Sequence, residues 1–311
     1  MNQDVQPEQA ESFRAAEQLA AKAAGTEVSE RFVSPGGPVR SARVIECGAG
    51  APTLLVHGGG GIAADWIPLM GKLPDRHLIA VDRPGCGLTD GYRYTAGDNL
   101  RSHAVGFLSG VLDAMDLDAV DVVANSMGGL WSVWFALQHP RRVRSLTLVG
   151  WPALAVGTSA PVPMRLISRN GLGWMLERPA TARTAQSVWK LMGHDPARLV
   201  TAYPELMELS VLGHNLPGAA SSFRSLLHRA LRLRGAAPDC ALSEEEVARL
   251  SVPTTLVWGS HDPFGGLDAA RRFAGAARAE LHEVGNGHLP WLDDPEAVAT
   301  ILRTPFGSPT S

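Results

Sequence analysis

The chain of 311 residues is about twice the length of a typical domain, and its 45% hydrophobic and 19% charged residues exclude a disordered chain. A formal net charge of −3 is too nearly balanced to indicate a nucleic-acid or anionic-membrane partner. Its three cysteines lie far apart and form no CxxC pair. We therefore expect neither a disulfide scaffold nor a metal site, and a reducing, cytoplasmic location.

The first 25 residues contain no basic segment followed by an apolar run, which is the pattern of a secretion signal. Apolar residues recur there at helical spacing, at Ala15, Ala16, Leu19, Ala20 and Ala23. This pattern predicts a short surface helix within residues 1–25, which Gly25 ends. An uninterrupted apolar run of about 18 residues is absent from the sequence, so no membrane span is expected.

Six short runs rich in β-branched and aliphatic residues follow along the chain, and each stops at a turn signal. The runs occupy residues 53–56, 77–81, 120–124, 143–149, 254–258 and 279–284. Helical patterns lie between most of them, among them residues 99–117 with one apolar stripe and residues 127–138, which are apolar almost all round. Such runs are typical of a parallel sheet covered on both faces by helices. The predicted fold class is α/β.

Residues 152–251 interrupt this alternation, because they contain helical patterns but no convincing strand. A helical insertion after the C-terminal end of a strand opens onto the face where such sheets bind ligands. We therefore predict a helical lid on a core domain made of residues 26–151 and 252–311. The alternative is a second helical domain without a role at the site. Trp174, Trp189 and Met192 line the pocket or form the lid's own core, and the sequence leaves both options open.

A candidate nucleophile lies where the strand run 120–124 gives way to a helix, in the segment A-N-S-M-G-G at residues 124–129. A serine on a strained strand-to-helix turn needs small residues two positions before and after it. Ala124 and Gly128 meet that need around Ser126. The alternative for this serine is a simple helix N-cap.

A serine nucleophile needs a base, and the base needs an orienting acid. Asp262 follows a late strand run, and His288 lies in a glycine-rich loop after the last one. The order serine, acid, histidine is that of hydrolases with this kind of turn. We predict Ser126, Asp262 and His288 as the catalytic residues, whereas His57 and His261 are expected to form structural hydrogen bonds. The alternatives are a simple Asp-Pro turn at Asp262, with a neighbouring carboxylate as the acid; those neighbours fall in helix-like segments and are Asp268, Asp293 and Asp294.

The glycine run 58–61 follows the first strand run and is the candidate oxyanion hole. Glycine permits the close approach and the left-handed backbone that such a loop requires. The predicted donors are the backbone N–H of Gly59 and that of Met127, at a helix N-terminus where the dipole also favours negative charge. A flexible glycine loop is the alternative.

Together these segments resemble the α/β-hydrolase superfamily over residues 40–305. The sequence D-R-P-G-C-G-L-T at residues 82–89 is similar to a loop common after the next strand in that family. Other members of the superfamily have an aspartate nucleophile on this strand-to-helix turn, and they open epoxides or remove halides. Because this chain has Ser126 there, the resemblance favours acyl transfer to water.

The residues 125–129, the glycine-rich loop after His57, and Trp66 resemble the meta-cleavage-product hydrolases, which break a C–C bond in dienoate ketones. That family usually has tryptophan directly after the catalytic histidine, whereas this chain has Leu289. It also holds the substrate carboxylate with a lid arginine. The sequence leaves open that another arginine between Pro152 and Ser243 has that role. The clustered lid arginines are better explained as a solvated helix face; they are Arg224, Arg229, Arg232 and Arg234.

The sequence thus predicts a serine hydrolase that acts on a small, largely apolar ester or related acyl compound through an acyl-enzyme, without metal or organic cofactor. Predicted substrate contacts are Gly58, Asn125, Trp66 and Leu289. The partner is a small-molecule substrate, with no nucleic acid and no membrane. The alternatives are a C–C bond hydrolase of a dienoate ketone, an acyltransferase, and a non-catalytic small-ligand binder on the same fold.

Overall fold

The structure is a computed structural model, and it describes residues 4–150, 154–155, 158, 160–168 and 173–304. The predicted lid boundary at residue 152 lies outside the described residues. Ten strands occur within them: β1 (Ser29–Val33), β2 (Ala42–Cys47), β3 (Ala51–Val56), β4 (Arg76–Val81), β5 (Val120–Ala124), β6 (Val143–Val149), β7 (Leu231–Arg232), β8 (Gly235–Ala236), β9 (Thr254–Trp258) and β10 (Glu280–Glu283).

Thirteen α-helices occur in the same part of the chain, together with 3₁₀ turns at Ala63–Trp66, Pro140–Arg142 and Gly173–Glu177. The α-helices are α1 (Pro7–Ala23), α2 (Ile67–Met70), α3 (Leu100–Ala114), α4 (Ser126–Gln138), α5 (Val162–Ile167), α6 (Ala182–Leu191), α7 (Pro196–Ala202), α8 (Pro204–Asn215), α9 (Ala219–Ala230), α10 (Glu244–Ala248), α11 (Leu267–Ala277), α12 (Pro290–Asp293) and α13 (Pro295–Arg303). None of the described helices is both long and apolar enough to cross a bilayer.

Eight of the strands form one sheet in the order β1-β2-β4-β3-β5-β6-β9-β10. The strands from β4 through β10 in this order pair in parallel, and β1 and β2 add an antiparallel edge. The six predicted strand runs are all present, and the α/β fold class is confirmed. Helix α4 lies against the sheet with every residue from Ser126 to Ala136 buried, as its all-round apolar sequence predicts.

The antiparallel edge was not predicted from the sequence, because polar residues interrupt its apolar pattern. In β2, Arg43 is fully buried and forms ion pairs with Glu17 of α1 and with Asp82 after β4. Buried charges are tolerated when they are paired and hydrogen-bonded in this way. This ion-pair network orients α1, so that Phe13, Ala16, Glu17 and Ala20 point into the protein interior. The predicted helix exists, but Leu19 of its predicted apolar stripe is exposed.

Between β6 and β9 the chain forms helices α5–α10 and the two-stranded hairpin of β7 and β8. We call the described residues 160–248 the cap. Within the described residues, the expectation of no strand in this segment was wrong for this hairpin, whose two-residue strands are too short to leave a periodic pattern. Helix α8 of the cap packs against α1.

The parallel strands place their C-terminal ends along one edge of the sheet. β3 ends before the glycine run 58–61, β5 ends directly before Asn125, and β9 and β10 end before the loops of Asp262 and His288. Four segments that are distant in sequence therefore meet at one place, which is where open α/β sheets bind their ligands.

Candidate active site

Ser126 is the first residue of α4 and has a left-handed backbone, with φ +50°. For a residue other than glycine this conformation is strained, and such strain concentrates at functional sites. The turn also brings α4 close to β3, because a Cβ built at Gly128 would overlap the carbonyl oxygen of Val56. The small residue that the sequence places two positions after the serine is thus required by packing.

The side chains of His288 and Asp262 are joined by a hydrogen bond of 2.7 Å between Nδ1 and Oδ2. Because a carboxylate only accepts hydrogen bonds, Nδ1 carries the proton and the lone pair of the neutral imidazole lies on Nε2. His288 Nε2 is buried and has no hydrogen-bond partner among the described residues. The ring is thus oriented by the acid and keeps its basic nitrogen available.

Phe264 holds this pair from two sides. Its backbone N–H donates at 2.9 Å to Oδ1 of Asp262, which is the carboxylate oxygen that does not bind His288. Its ring stacks on the His288 imidazole with 4.2 Å between centroids and 26° between planes. Phe264 was not predicted from the sequence, since a phenylalanine two residues after an aspartate carries no signal distinct from that of a core residue.

Asn125 joins the serine turn to the loop of the base. Its Nδ2 donates to the carbonyl oxygens of Val149 at 2.7 Å and of His288 at 2.9 Å. The side chain is buried and does not cap α4, although Asn125 is the N-cap residue. The amides of the first helical turn therefore have no partner within the helix, and Met127 N–H is one of them. Asn125 was predicted as a substrate contact, which stays a prediction; in the structure it is buried and its Nδ2 donates to the carbonyl oxygens of Val149 and His288.

The glycine loop after β3 lies directly against the serine turn. A Cβ at Gly58 would lie 2.5 Å from Oδ1 of Asn125 and 3.0 Å from Cβ of Ser126, so only glycine fits there. A Cβ at Gly59 would lie 3.8 Å from Cβ of Met127. The two residues predicted as oxyanion donors are thus neighbours, although they are distant in sequence.

Arg83 fixes the orientation of this glycine loop. Its buried guanidinium donates from Nε to the carbonyl oxygen of His57 at 3.0 Å and from Nη2 to that of Gly58 at 2.6 Å. The C=O and N–H groups of a trans peptide point in opposite directions. The N–H of Gly59 therefore points away from Arg83. Arg83 lies in the family-like segment 82–89, but no role for it was predicted from the sequence.

His57 contributes to the same loop as a neutral side chain. Its Nε2 accepts from the backbone N–H of Arg83 at 3.0 Å, so its Nδ1 carries the proton and donates to the carbonyl oxygen of Gly58 at 2.8 Å. Burial and the charge of Arg83 hold the pKa of His57 well below its usual range. The prediction that His57 forms structural hydrogen bonds agrees with these contacts.

The cap covers the site. Ser126 exposes only 7% of its surface and His288 3%. A Cβ at Gly59 would lie 3.2 Å from the ring of Phe223, which belongs to α9 of the cap. Surface hollows of about 490 Å³ against α1 and about 220 Å³ beside Trp134 lie elsewhere. Among the described residues, no group of three or more His, Cys, Asp or Glu side chains is placed to hold a metal ion.

Trp66 and Leu289, which were predicted as substrate contacts, occupy different surroundings. Trp66 is fully buried in the core and stacks on Trp291 with 4.1 Å between centroids, so its position gives it a packing role. Leu289 directly follows His288 and is partly buried against the same core cluster. Of the lid tryptophans, Trp174 is half exposed and Trp189 is buried.

The four arginines that cluster in the sequence of the cap are either paired with carboxylates or exposed. Arg224 and Arg229 form ion pairs with carboxylates of the cap itself. Arg232 and Arg234 face solvent. None of these four is thus available as a buried cation beside Ser126.

Comparison with known proteins identifies the family of the chain. A family model described as "alpha/beta hydrolase fold" matches residues 52–295. Over 252 residues the chain is 32% identical to the 2-hydroxy-6-oxo-2,4-heptadienoate hydrolase of Pseudomonas putida, covering 78% of this chain and 84% of that protein.

Two solved structures share the fold. A carboxylesterase of Bacillus subtilis matches with a TM-score of 0.71 at 20% identity, over 95% of this chain and 97% of that one. A 2-hydroxy-6-oxo-6-phenylhexa-2,4-dienoate hydrolase from Rhodococcus matches with a TM-score of 0.73 at 19% identity, over 89% of this chain and 98% of that one. The chain therefore belongs to the α/β-hydrolase fold family and is a hydrolase.

Proposed function

We propose that the protein is a serine hydrolase that cleaves a small, largely apolar ester or related acyl compound. The observation that carries the proposal is the buried His288–Asp262 pair, whose hydrogen bond of 2.7 Å leaves Nε2 without a partner among the described residues. The strained Ser126 starts α4 at the same edge of the sheet. A non-catalytic binder of small ligands would need neither the acid–base pair nor the strained serine.

The reaction proceeds through an acyl-enzyme. The Oγ–H of Ser126 gives its proton to Nε2 of His288 while Oγ bonds to the carbonyl carbon, and the N–H groups of Gly59 and Met127 bind the oxyanion. When the intermediate collapses, the ester C–O bond breaks and the alcohol leaves with the proton from His288. A water molecule then gives a proton to His288 while its oxygen bonds to the acyl carbon. When this second intermediate collapses, the bond from the acyl carbon to Oγ breaks, His288 returns the proton to Oγ of Ser126, and the acid leaves. Asp262 stabilises the imidazolium in both halves.

The four clustered cap arginines favour an ester over a dienoate ketone. A dienoate substrate carries a carboxylate, which needs a cation beside the reacting carbonyl. Arg224 and Arg229 are paired with other residues of the cap, and Arg232 and Arg234 are exposed. The buried Arg83 already donates to two carbonyl oxygens of the glycine loop.

C–C bond hydrolysis is the second candidate, because curated relatives favour it. A hydrolase of 2-hydroxy-6-oxo-2,4-heptadienoate is 32% identical to this chain, and a 2-hydroxymuconate semialdehyde hydrolase of Pseudomonas putida is 30% identical over 261 residues. Such a reaction would use the same serine, base and acid.

Turnover of a panel of p-nitrophenyl esters, from acetate to dodecanoate, together with one 2-hydroxy-6-oxo-2,4-dienoate tests both candidates. The catalytic variant is Ser126→Ala. Ser132→Ala is its matched control, because Ser132 is also on α4 and buried, and its Oγ has no hydrogen-bond partner in the described part of the chain. Loss of the nucleophile should lower kcat by about 10⁶. The control should keep the wild-type value.

The same panel also shows whether the enzyme cleaves an ester bond or a C–C bond. Faster turnover of a short ester than of the dienoate supports the ester proposal, and the reverse order replaces it with C–C hydrolysis. A fluorophosphonate probe should label Ser126 in the folded wild-type protein. If the probe labels no serine and Ser126→Ala turns over as fast as wild type, the serine-hydrolase proposal is wrong.

A further inference from the structure

We propose that His194, a residue of the cap, is a positioning residue for the base His288. It fixes the loop of His288 by accepting a hydrogen bond from the backbone of Leu289 while it donates one to Asp293. The inference rests on the proposed function, because it assigns His194 to the base that this function requires.

Residues 192–194 of the cap contact the loop of the base. The backbone N–H of His288 donates to the carbonyl oxygen of Met192 at 2.8 Å. The backbone N–H of Leu289 donates to Nε2 of His194 at 3.1 Å. Gly193 packs so closely that a Cβ there would lie 2.6 Å from the carbonyl oxygen of His261.

The loop of the base approaches the cap equally closely at Gly287. A Cβ built at Gly287 would overlap the His194 ring, so the glycine before the base is required by the imidazole of the cap. The glycine-rich sequence around His288 is therefore explained by a close approach. We infer that the loop and residues 192–194 are complementary surfaces.

The hydrogen bonds determine the protonation of His194. Because Nε2 accepts from an amide, it carries no proton, so Nδ1 carries it and donates to Oδ1 of Asp293 at 3.1 Å. The side chain of His194 is completely buried. Both ring nitrogens are thus used, Nε2 as an acceptor and Nδ1 as a donor.

Asp293 extends this arrangement to the rest of the loop. Its Oδ2 accepts from the backbone N–H of Asn286 at 2.7 Å and of Gly287 at 3.1 Å. Burial raises the pKa of Asp293, but the hydrogen bonds from His194 and these amides outweigh that effect and lower the pKa to about 2. The carboxylate therefore remains ionised and accepting at neutral pH.

Four consecutive backbone N–H groups, those of residues 286–289, are thus each bound by a specific partner. Two of those partners, Met192 and His194, belong to the cap, and His194 is the one that a substitution can remove. A glycine-containing loop has many accessible conformations, whereas a catalytic group must be held to within about 0.5 Å. The cap therefore supplies part of the precision of the base.

The experiment compares His194→Leu, which removes both hydrogen bonds at similar volume, with His194→Gln, whose amide oxygen can accept from Leu289 while its NH₂ donates to Asp293. The matched control is His228→Leu, because His228 is a cap histidine bonded to the carbonyl oxygen of Ser168 at 3.0 Å. The measurements are kcat and KM on an accepted ester, the rate of Ser126 phosphonylation by a small fluorophosphonate, and the downfield proton NMR signal of His288 Nδ1–H.

A base displaced by about 1 Å costs about 10²-fold in rate. We expect His194→Leu to lower kcat and the phosphonylation rate by about that factor with KM nearly unchanged, and to broaden the downfield signal. His194→Gln should recover most of the loss, and His228→Leu should match wild type. A purely structural role would lower the melting temperature but leave the kcat of the folded enzyme and the NMR signal unchanged.

The inference is overturned if folded His194→Leu keeps the wild-type kcat and phosphonylation rate. If that variant does not fold, His194→Gln is compared with His194→Asn, whose shorter side chain reaches Asp293 but not the Leu289 amide, and equal kcat values overturn the inference. A wild-type protein that the probe does not label would overturn the proposed function itself. A labelled wild type with an equally reactive His194→Leu overturns the positioning role alone.

Discussion

The glycine loop beside Ser126 depends on one buried side chain, and its removal gives the sharpest test of the proposed oxyanion hole. Arg83 donates to the carbonyl oxygens of His57 and Gly58, and its guanidinium lies over the ring of Trp131 at 5.0 Å. The bond to Gly58 sets the direction of the next N–H, that of Gly59. The perturbation is Arg83→Met, which keeps the aliphatic volume and removes both donors.

The expected loss in kcat depends on the hydrogen bonds that remain at the Gly58 carbonyl oxygen after the substitution. Loss of one oxyanion donor costs about 2.7–4 kcal/mol of transition-state stabilisation, or roughly 10²–10³ in kcat. After the substitution the Gly58 carbonyl still accepts from Nδ1 of His57 at 2.8 Å and from the N–H of Gly61 at 3.2 Å. Because these bonds keep part of the loop geometry, we expect kcat to fall by about 10²-fold.

Stability should change less than the two lost bonds suggest. Hydrogen bonds to a charged group contribute about 1.5–3 kcal/mol each. Arg83 is buried, however, and forms no ion pair within the described ranges, so methionine also relieves the desolvation of an unpaired charge. These opposing effects should leave the variant folded at room temperature.

The assay measures kcat and KM on an accepted ester and the affinity for a trifluoromethyl ketone that mimics the tetrahedral intermediate. Arg141→Met is the matched control, since Arg141 is exposed on the 3₁₀ turn Pro140–Arg142. The Arg83→Met variant should bind the ketone about 10²-fold more weakly with KM nearly unchanged. Wild-type kcat and ketone affinity in a folded Arg83→Met variant would refute the reasoning.

Three shorter predictions concern the scaffold. Gly128→Ala should abolish turnover of the ester and lower the melting temperature, because its Cβ would overlap the Val56 carbonyl oxygen, and wild-type turnover would contradict this. Arg43→Met should cost about 3–5 kcal/mol in urea unfolding, since it leaves buried carboxylates such as that of Glu17 unpaired, and a change below 1 kcal/mol, on the order of a surface pair, would argue against it. Burial raises the pKa of Asp65 to about 7, above the unfolded value of about 3.9, so the folded state binds this proton more tightly. Wild type should therefore lose stability relative to Asp65→Asn as pH rises from about 4 to about 7, and parallel stability curves would exclude it.

The sequence predicted those features whose signals are local. A parallel strand leaves an apolar run with a turn signal at its end, and six such runs were found, together with the segments of Ser126, Asp262 and His288 that follow three of them. The turn at Ser126 also leaves a local signal, because it needs small residues at positions 124 and 128; the structure explains Gly128 by its close approach to the carbonyl oxygen of Val56.

The features that escaped prediction depend on contacts distant in sequence. β2 contains Arg43, whose buried position is explained only by Glu17 and Asp82 on other elements. His194 is one of ten histidines and lies 95 residues before Leu289, from whose backbone N–H it accepts a hydrogen bond. A single sequence does not reveal that these two meet.

Substrate must reach Ser126 past the cap, and the two contacts between cap and site differ in kind. At residues 192–194 the contact consists of hydrogen bonds to the loop of the base, so its displacement would also disorder His288. At α9 the contact is the ring of Phe223 on Gly59 and Gly60, which one side-chain rotation can release. We therefore expect substrate to pass Phe223 while the cap stays in place. Phe223→Ala should raise kcat/KM for a long acyl ester relative to acetate, with the downfield proton of His288 unchanged. An equal effect on both esters, or loss of that signal, would show that the whole cap moves.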